Sequence, residues 1–221
     1  MKITVVGSGA WGTALALLLL ENGNDVTLWS YHQEESDRMR DTHENPMLKG
    51  VPLPEELKLT TDLSVVKGCG LVVLATPSFA VRATAARLRE LVDPGTIVVS
   101  VSKGIEKDTS LTLTESIAQE VGEGHPIVAL SGPSHAEEVA RGVPTTVVSA
   151  SEDLAAAERV QELLMNPSFR IYVNRDVTGV ELGGALKNVV ALAAGVLCLA
   201  AAAACVIAMV LRMKKRQSLA A

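Results

Sequence analysis

The chain has 221 residues, of which 48% are hydrophobic and 20% are charged, and its formal net charge is -5. This length and composition can bury a sizeable core, and they exclude a disordered or fibrous protein. The acidic balance, without a block rich in Lys and Arg before residue 212, gives no electrostatic footprint for nucleic acid and leaves small anions as the expected partners.

The cysteines and the first residues indicate the compartment. Cys69, Cys198 and Cys205 are odd in number and lack the spacing of zinc ligands, which argues against a disulfide framework or a metal site. Met1 leads directly into the β-branched residues 3–6, without the basic and apolar regions of a secretory signal. We therefore expect a cytoplasmic protein without a structural metal.

A glycine pattern follows this first β-branched run. Gly7, Gly9 and Gly12 form G-x-G-x-x-G between a predicted strand at residues 3–6 and a predicted helix at residues 13–21. In this context the first glycine permits a tight turn, the second lets the backbone approach a pyrophosphate, and the third lets the helix pack on the strand. Since a helix N-terminus also attracts anions, the pattern predicts a dinucleotide site.

The end of the second predicted strand, residues 26–29, bears on cofactor choice. Dinucleotide folds usually place Asp or Glu there to hold the adenosine ribose, whereas this chain has Ser30, Tyr31 and His32. No carboxylate repels a 2′-phosphate and no arginine stands there to bind one, so the sequence permits NADP without excluding NAD. Tyr31 either stacks on adenine or caps the edge of the sheet.

Alternating strands and helices continue along the chain. Apolar strands are predicted at residues 71–75, 97–100, 127–130, 145–149 and 169–173. Helices near residues 79–92, 110–121 and 154–165 separate them. Continuous apolar strands are typical of a buried parallel sheet, and this alternation predicts an α/β fold, a doubly wound Rossmann domain. The polar residues 33–62 are expected to be a connecting excursion.

Polar residues follow several of these strands, at the edge where open α/β sheets bind ligands. Lys103 follows the strand at residues 97–100 and is either a site residue or a solvated loop lysine. Ser134 and neighbouring amides follow the strand at residues 127–130 and could hold a polar substrate. His135 begins a helical segment, and we expect it to be structural rather than a general base.

Lys187 is a lone cation beside small residues, in the run from Gly183 to Asn188. A lysine held partly desolvated in such surroundings can act as an acid or base near neutral pH. The alternative is a helix lysine whose stem covers apolar surface while its ammonium stays in water.

Four motifs together carry a resemblance. GSGAWGTA at residues 7–14, SKGIE at 102–106, SGPSHA at 131–136 and GGALKN at 183–188 resemble the bacterial NAD(P)-dependent glycerol-3-phosphate dehydrogenase family, over residues 1–196. The resemblance implies an oxidoreductase that moves hydride between NAD(P)H and dihydroxyacetone phosphate. The product, sn-glycerol 3-phosphate, would serve phospholipid synthesis and lipid metabolism.

The resemblance also implies site roles. Lys187 looks like the proton donor and acceptor at the C2 oxygen, where an ammonium stabilises the charge that develops. The implied substrate residues are Lys103, Gly132, Ser134, Lys187 and Asn188. The implied cofactor residues are Gly7, Ser8, Gly9, Ala10, Trp11, Gly12, Lys103 and Ala136, to which position adds Tyr31.

The chain departs from the family pattern after Val196, where the family continues into a helical substrate domain. We therefore expect a dinucleotide-binding domain at residues 1–175, a truncated helical domain at 176–196 and an atypical tail at 197–221, with impaired turnover.

Residues 189–211 carry no charge and could span a bilayer. Their many alanines, and the basic residues after 211, favour a disrupted or non-native tail instead. The alternative function is a membrane-attached or self-associating dinucleotide-binding module without catalysis. A homo-oligomer is compatible with both the enzyme and this module. A third interpretation, another hydroxyacid dehydrogenase that uses a helix lysine, explains the glycine loop and Lys187 but not the full set of motifs.

Overall fold

The computed structural model describes residues 1–220, with side chains described as far as Met209. In this part of the chain, eight strands and seven α-helices follow one another. The strands are β1 (Lys2–Val6), β2 (Asp25–Trp29), β3 (Lys58–Thr60), β4 (Leu71–Leu74), β5 (Ile97–Ser100), β6 (Ile127–Ser131), β7 (Thr145–Ala150) and β8 (Phe169–Asn174). The helices are α1 (Ala10–Glu21), α2 (Gln33–Thr42), α3 (Val81–Leu88), α4 (Leu113–Val121), α5 (Ala136–Val139), α6 (Leu154–Leu164) and α7 (Val177–Ala220). The chain divides into two units, Met1–Gly184 and Ala185–Ala221.

The strands of the first unit form one sheet in the order β3-β2-β1-β4-β5-β6-β7-β8. The first six strands in this order are parallel, and on β1 the central residue Val5 pairs with Leu28 of β2 and Val73 of β4. Such a sheet brings the carboxyl ends of its parallel strands to one edge. The predicted doubly wound α/β fold is therefore confirmed.

Strand β7 is the exception to the parallel arrangement. It runs antiparallel to β6, and β8 then runs parallel to β7. Two sequential strands can run parallel only if the connection carries the chain back along the length of the first strand to the opposite edge of the sheet. The connection from β6 to β7, residues 132–144, contains only the single turn of α5 and makes no such crossover. The sequence pattern of apolar runs does not distinguish these two directions.

The predicted excursion at residues 33–62 contains two elements that the sequence analysis did not identify, α2 and β3. Helix α2 buries only Ser36 and Met39, so it has no apolar stripe that would reveal it. Strand β3 has three residues and extends the sheet beside β2.

Alternating strand residues build a core on each face of the sheet. On β4, Val73 packs in one cluster with Leu15 of α1, whereas Val72 packs in the other with Leu88 of α3 and Ile117 of α4. All five of these side chains are fully buried. Burying each large side chain stabilises the fold by about 1.5–3 kcal/mol. This packing holds the helices against both faces of the sheet, so the carboxyl edge of the strands is left for a ligand.

The start of α4 is capped from two directions. The Thr112 side chain accepts a hydrogen bond from the Glu115 amide, and the Glu115 carboxylate accepts one from the Thr112 amide. Glu181 of α7, which is 7% exposed, accepts hydrogen bonds from the amide of Thr114 at 3.1 Å and from its hydroxyl. Because the first amides of a helix lack partners within the helix and attract negative charge, the Glu181 carboxylate completes this cap.

We predict that Glu181→Ala lowers the free energy of unfolding by about 1–3 kcal/mol, because the buried Thr114 amide loses its acceptor. Glu181→Gln keeps an acceptor without the charge and should lose about 0.5–1.5 kcal/mol. Urea unfolding followed by circular dichroism measures both changes. Glu158→Gln, an exposed change on α6, is the matched control and should stay within about 0.5 kcal/mol of the parent. Equal stability of all four proteins would contradict this account of the cap.

Candidate functional site

A cavity of about 1040 Å³ lies at the carboxyl edge of the sheet in the first unit. The glycine loop, the end of β2, the turn after β4, the loop after β5 and the start of α5 all contribute to its lining. Every residue that the sequence analysis assigned to the cofactor lines this cavity, namely Gly7, Ser8, Gly9, Ala10, Trp11, Gly12, Tyr31, Lys103 and Ala136. The first unit thus brings the predicted cofactor residues together in one place.

The glycine loop requires glycine for a different reason at each position. Gly7 has a φ of +122°, and a Cβ there would lie 2.6 Å from the Ala75 carbonyl oxygen. A Cβ at Gly12 would lie 2.0 Å from the Gly7 carbonyl oxygen. A Cβ at Gly9 would meet no atom within 4 Å, so this glycine leaves open space at the start of α1. No side chain caps α1, and its first amides remain available to an anion such as a pyrophosphate.

Asn45 and two serines hold the glycine loop in this shape. The Asn45 amide nitrogen, in a side chain that is 2% exposed, donates to the Ser8 carbonyl oxygen at 2.8 Å and to the Thr13 hydroxyl at 2.7 Å. The Ser8 hydroxyl donates to the Ser30 hydroxyl at 2.9 Å. Asn45 lies 37 residues from Ser8 in the chain. Sequence spacing gives no signal for such a contact, and the sequence analysis assigned Asn45 no role in the site.

The turn after β4 contributes lining residues that the sequence analysis did not assign. Thr76, Pro77, Ser78 and Phe79 line the cavity, and the Phe79 ring is 88% exposed. These residues follow a fully buried parallel strand, and the same position in the chain predicted that Lys103 and Ser134 are site residues. Position could therefore have predicted them as well. An exposed ring in such a cavity can stack on a flat ligand group.

The end of β2 forms a part of the cavity that combines aromatic and charged side chains. Tyr31 is 70% exposed, and its ring lies edge-on to Trp29, with a centroid distance of 6.1 Å. No arginine follows β2 directly in the sequence, where Ser30, Tyr31 and His32 stand. The structure places Arg87 there, from α3, with its Cζ atom 5.4 Å from the centre of the Trp29 ring. A contact between distant elements is invisible in the local sequence.

Lys103 extends from the loop after β5 and is half-buried. Its Nζ donates a hydrogen bond to the Gly132 carbonyl oxygen at 3.0 Å. A Cβ at Gly132 would lie 2.8 Å from the Val147 Cα, so β7 requires a glycine at this position. Gly132 contacts Lys103 without lining the cavity, whereas Ser134 and His135 line it and His135 stands at the N-cap of α5.

An ion-pair network holds the loop that carries Lys103. Arg82 of α3 pairs with Glu106 at 2.6 Å and with Glu120 of α4 at 2.7 Å. Hydrogen bonds from Arg82, and then from Thr109, lower the pKa of Glu106 to about 2. Hydrogen bonds to Glu106 and Glu120 raise the pKa of Arg82 above its ordinary value. Both partners therefore stay charged at physiological pH, and the loop stays attached to α3 and α4.

Lys187 and Asn188 belong to the second unit, on α7. Both residues are exposed there. The sequence left two interpretations of Lys187 open, a partly desolvated acid or base and a helix lysine whose ammonium stays in water, and the role of Lys187 stays a prediction.

Comparisons with known proteins agree with this geometry. The sequence profile described as "NAD-dependent glycerol-3-phosphate dehydrogenase N-terminus" matches residues 2–157. The glycerol-3-phosphate dehydrogenase (NAD(P)+) of Bacillus pumilus is 49% identical over 199 residues, which are 88% of this chain and 58% of that protein. The enzyme of that name from Moorella thermoacetica is 50% identical over 196 residues, again 88% of this chain and 58% of the relative.

Solved structures extend the comparison to three dimensions. The crystal structure of glycerol-3-phosphate dehydrogenase from Coxiella burnetii has a TM-score of 0.82 and 39% identity, and the match covers 88% of this chain and 60% of that one. This chain spans less than two thirds of the length of the relatives it matches. The profile match, the sheet order and the glycine loop agree, and the chain belongs to the NAD(P)-dependent glycerol-3-phosphate dehydrogenase family, whose N-terminal domain it carries.

Proposed function

We propose that the first unit binds NAD(P) in the cavity beside the glycine loop, with residues 1–175 as the dinucleotide-binding domain. The observation that carries this proposal is the open space at Gly9, between the sterically required Gly7 and Gly12 and at the uncapped start of α1. A pyrophosphate there would receive backbone N–H donors and the positive end of the helix dipole. The exposed Phe79 and Tyr31 rings supply flat apolar surface for the nucleotide bases.

The proposed reaction reduces dihydroxyacetone phosphate to sn-glycerol 3-phosphate, in the cytoplasm and for glycerophospholipid synthesis. The nicotinamide supplies the hydride in this chemistry. Lys103, held by the Gly132 carbonyl, places a positive charge in the cavity for a phosphorylated substrate and for the cofactor. The Lys187 ammonium is proposed to donate the proton to the substrate C2 oxygen as negative charge develops there.

The remaining family positions are proposed to orient the ligands. Ser134 and the Gly132 backbone would contact the substrate, Asn188 would assist Lys187, and Ala136 would contact the cofactor through its backbone. Cofactor binding needs only the first unit and is the more direct test of the proposal.

We predict that Gly9→Ala weakens NADPH binding about tenfold or more, a loss of about 1.4 kcal/mol or greater, because the methyl group keeps the pyrophosphate from the backbone. Isothermal titration calorimetry measures this affinity. The melting temperature should change little, because no atom lies within 4 Å of the added Cβ. Gly195→Ala adds the same methyl group to open space on α7 and serves as the matched control. Unchanged affinity in Gly9→Ala, or no NADPH binding by the parent, would contradict the proposal.

A second candidate function comes from α7. Residues Val177–Met209 form a helix of 33 residues that is long and apolar enough to cross a bilayer, and its apolar window is 0% buried. A helix that is apolar on all sides normally lies within a protein core or a membrane. We propose lipid attachment as the second candidate, with exposed Leu192, Val196 and Leu199 as contact residues.

Vesicle flotation tests this second candidate with the full chain and neutral phosphatidylcholine vesicles. We predict that the parent floats with the vesicles and that the double variant Leu192→Lys and Leu199→Lys does not, since each central lysine costs about 2.5–3.5 kcal/mol on insertion. Glu158→Lys adds positive charge on α6 as a control and should float. A parent that stays in the lipid-free fraction, alone or self-associated, would exclude lipid attachment.

A further inference from the structure

Arg87 differs from the other arginines of its helical segment. Arg82 pairs with Glu106 and Glu120, and Arg89 lies 3.6 Å from Glu120. Arg87 has no carboxylate within ion-pair distance among the residues whose side chains the structure describes, and it lines the cavity. The Arg87 guanidinium therefore lies beside the proposed nucleotide site, and no ion pair within the described side chains neutralises its charge.

The Trp29 ring determines where this cation lies. Trp29 ends β2, is 2% exposed, and its Nε1 donates to the Thr61 carbonyl oxygen at 2.9 Å. The Arg87 Cζ atom lies 5.4 Å from the centre of this fixed ring, within the range of a cation–π contact. Stacking on a ring holds a guanidinium without consuming its N–H groups, which remain available for a phosphate.

The location matches the adenosine half of a dinucleotide. In doubly wound folds, the residues after the second strand hold the adenosine ribose, and an arginine nearby accommodates a 2′-phosphate. Trp29, Tyr31 and Arg87 line the cavity together at this strand end. The arginine comes from α3 rather than from the residues that follow β2.

Glu35 provides the opposing charge in the same part of the cavity. Its carboxylate oxygen lies 3.3 Å from the Ser30 hydroxyl, which can donate to it, and the residue lines the cavity. A carboxylate there favours a free ribose 2′-hydroxyl and repels a 2′-phosphate. The residues directly after β2 include no carboxylate at positions 30–32, but Glu35 of α2 brings one to this part of the cavity, opposite in charge to Arg87.

We propose that Arg87 binds the adenosine 2′-phosphate of NADP and gives this chain its affinity for NADP over NAD, against the opposing charge of Glu35. This inference rests on the proposed cofactor site and adds a specificity residue to it. The competing role for Arg87 is stacking on adenine, which would support NADP and NAD equally. Binding of matched ligands with and without the 2′-phosphate separates the two roles.

The test measures the affinities of NADPH, NADH, 2′,5′-ADP and 5′-AMP by calorimetry for the full chain and its variants. Arg87→Gln should weaken NADPH and 2′,5′-ADP about tenfold or more, the effect of losing one charge-assisted hydrogen-bonded pair. NADH and 5′-AMP should change by less than about threefold. Glu35→Gln should strengthen binding of NADPH and 2′,5′-ADP, the two ligands that carry a 2′-phosphate, and Arg87→Lys should retain part of the parent's affinity for them.

Arg38→Gln is the matched control. Arg38 is exposed on α2, outside the cavity lining, and its change removes the same charge from the protein. The control should leave the ratio of NADPH to NADH affinity unchanged. A loss in Arg87→Gln that is equal for all four ligands, or no loss at all, would overturn the inference while the cofactor site stands. Failure of the parent to bind either cofactor would overturn the proposed function itself.

Discussion

The close approach between the start of α1 and the end of β1 is the constraint on which the site depends. A Cβ at Gly12 would lie 2.0 Å from the Gly7 carbonyl oxygen, so the helix can meet the strand only through glycine. This contact places the uncapped first turn of α1 at the carboxyl edge of the sheet. Asn45 and Ser30 then fix the loop from two other segments. The proposed anion site therefore follows from sterics and buried hydrogen bonds rather than from a concentration of charge.

Few charged side chains line the cavity, and contacts with other residues hold its two cations, Lys103 and Arg87, in position. The chain is acidic, with a net charge of -5, yet Lys103 and Arg87 both line the cavity. The Gly132 carbonyl orients Lys103, and the Trp29 ring orients Arg87. A cation held in this way loses less conformational entropy when an anion binds than a mobile surface lysine does. The arrangement suits ligands with several separate phosphates, as the proposed cofactor and substrate have.

Local signals made much of the fold predictable. The apolar run at Leu71–Leu74 and the glycines at 7, 9 and 12 report their own surroundings, because burial and tight turns restrict residue type directly. Helix α2 could not be predicted from the sequence because it lacks an apolar face. The antiparallel direction of β7 could not be predicted because it depends on the connection between β6 and β7. Asn45 and Arg87 reach the site from distant elements, and a single sequence contains no record of such contacts. The proposed role of Lys187 rests on family resemblance, because its exposed position on α7 gives no local support.

The glycine loop and the first turn of α1 are proposed to bind the cofactor pyrophosphate through backbone amides. Amide hydrogen exchange of the chain, measured by NMR with and without saturating NADPH, reports on these amides residue by residue. We expect exchange to slow at residues 8–12 on NADPH addition, because those amides gain acceptors, while exchange in α6 stays unchanged. NADPH binding without slower exchange at residues 8–12 would show that the pyrophosphate lies elsewhere.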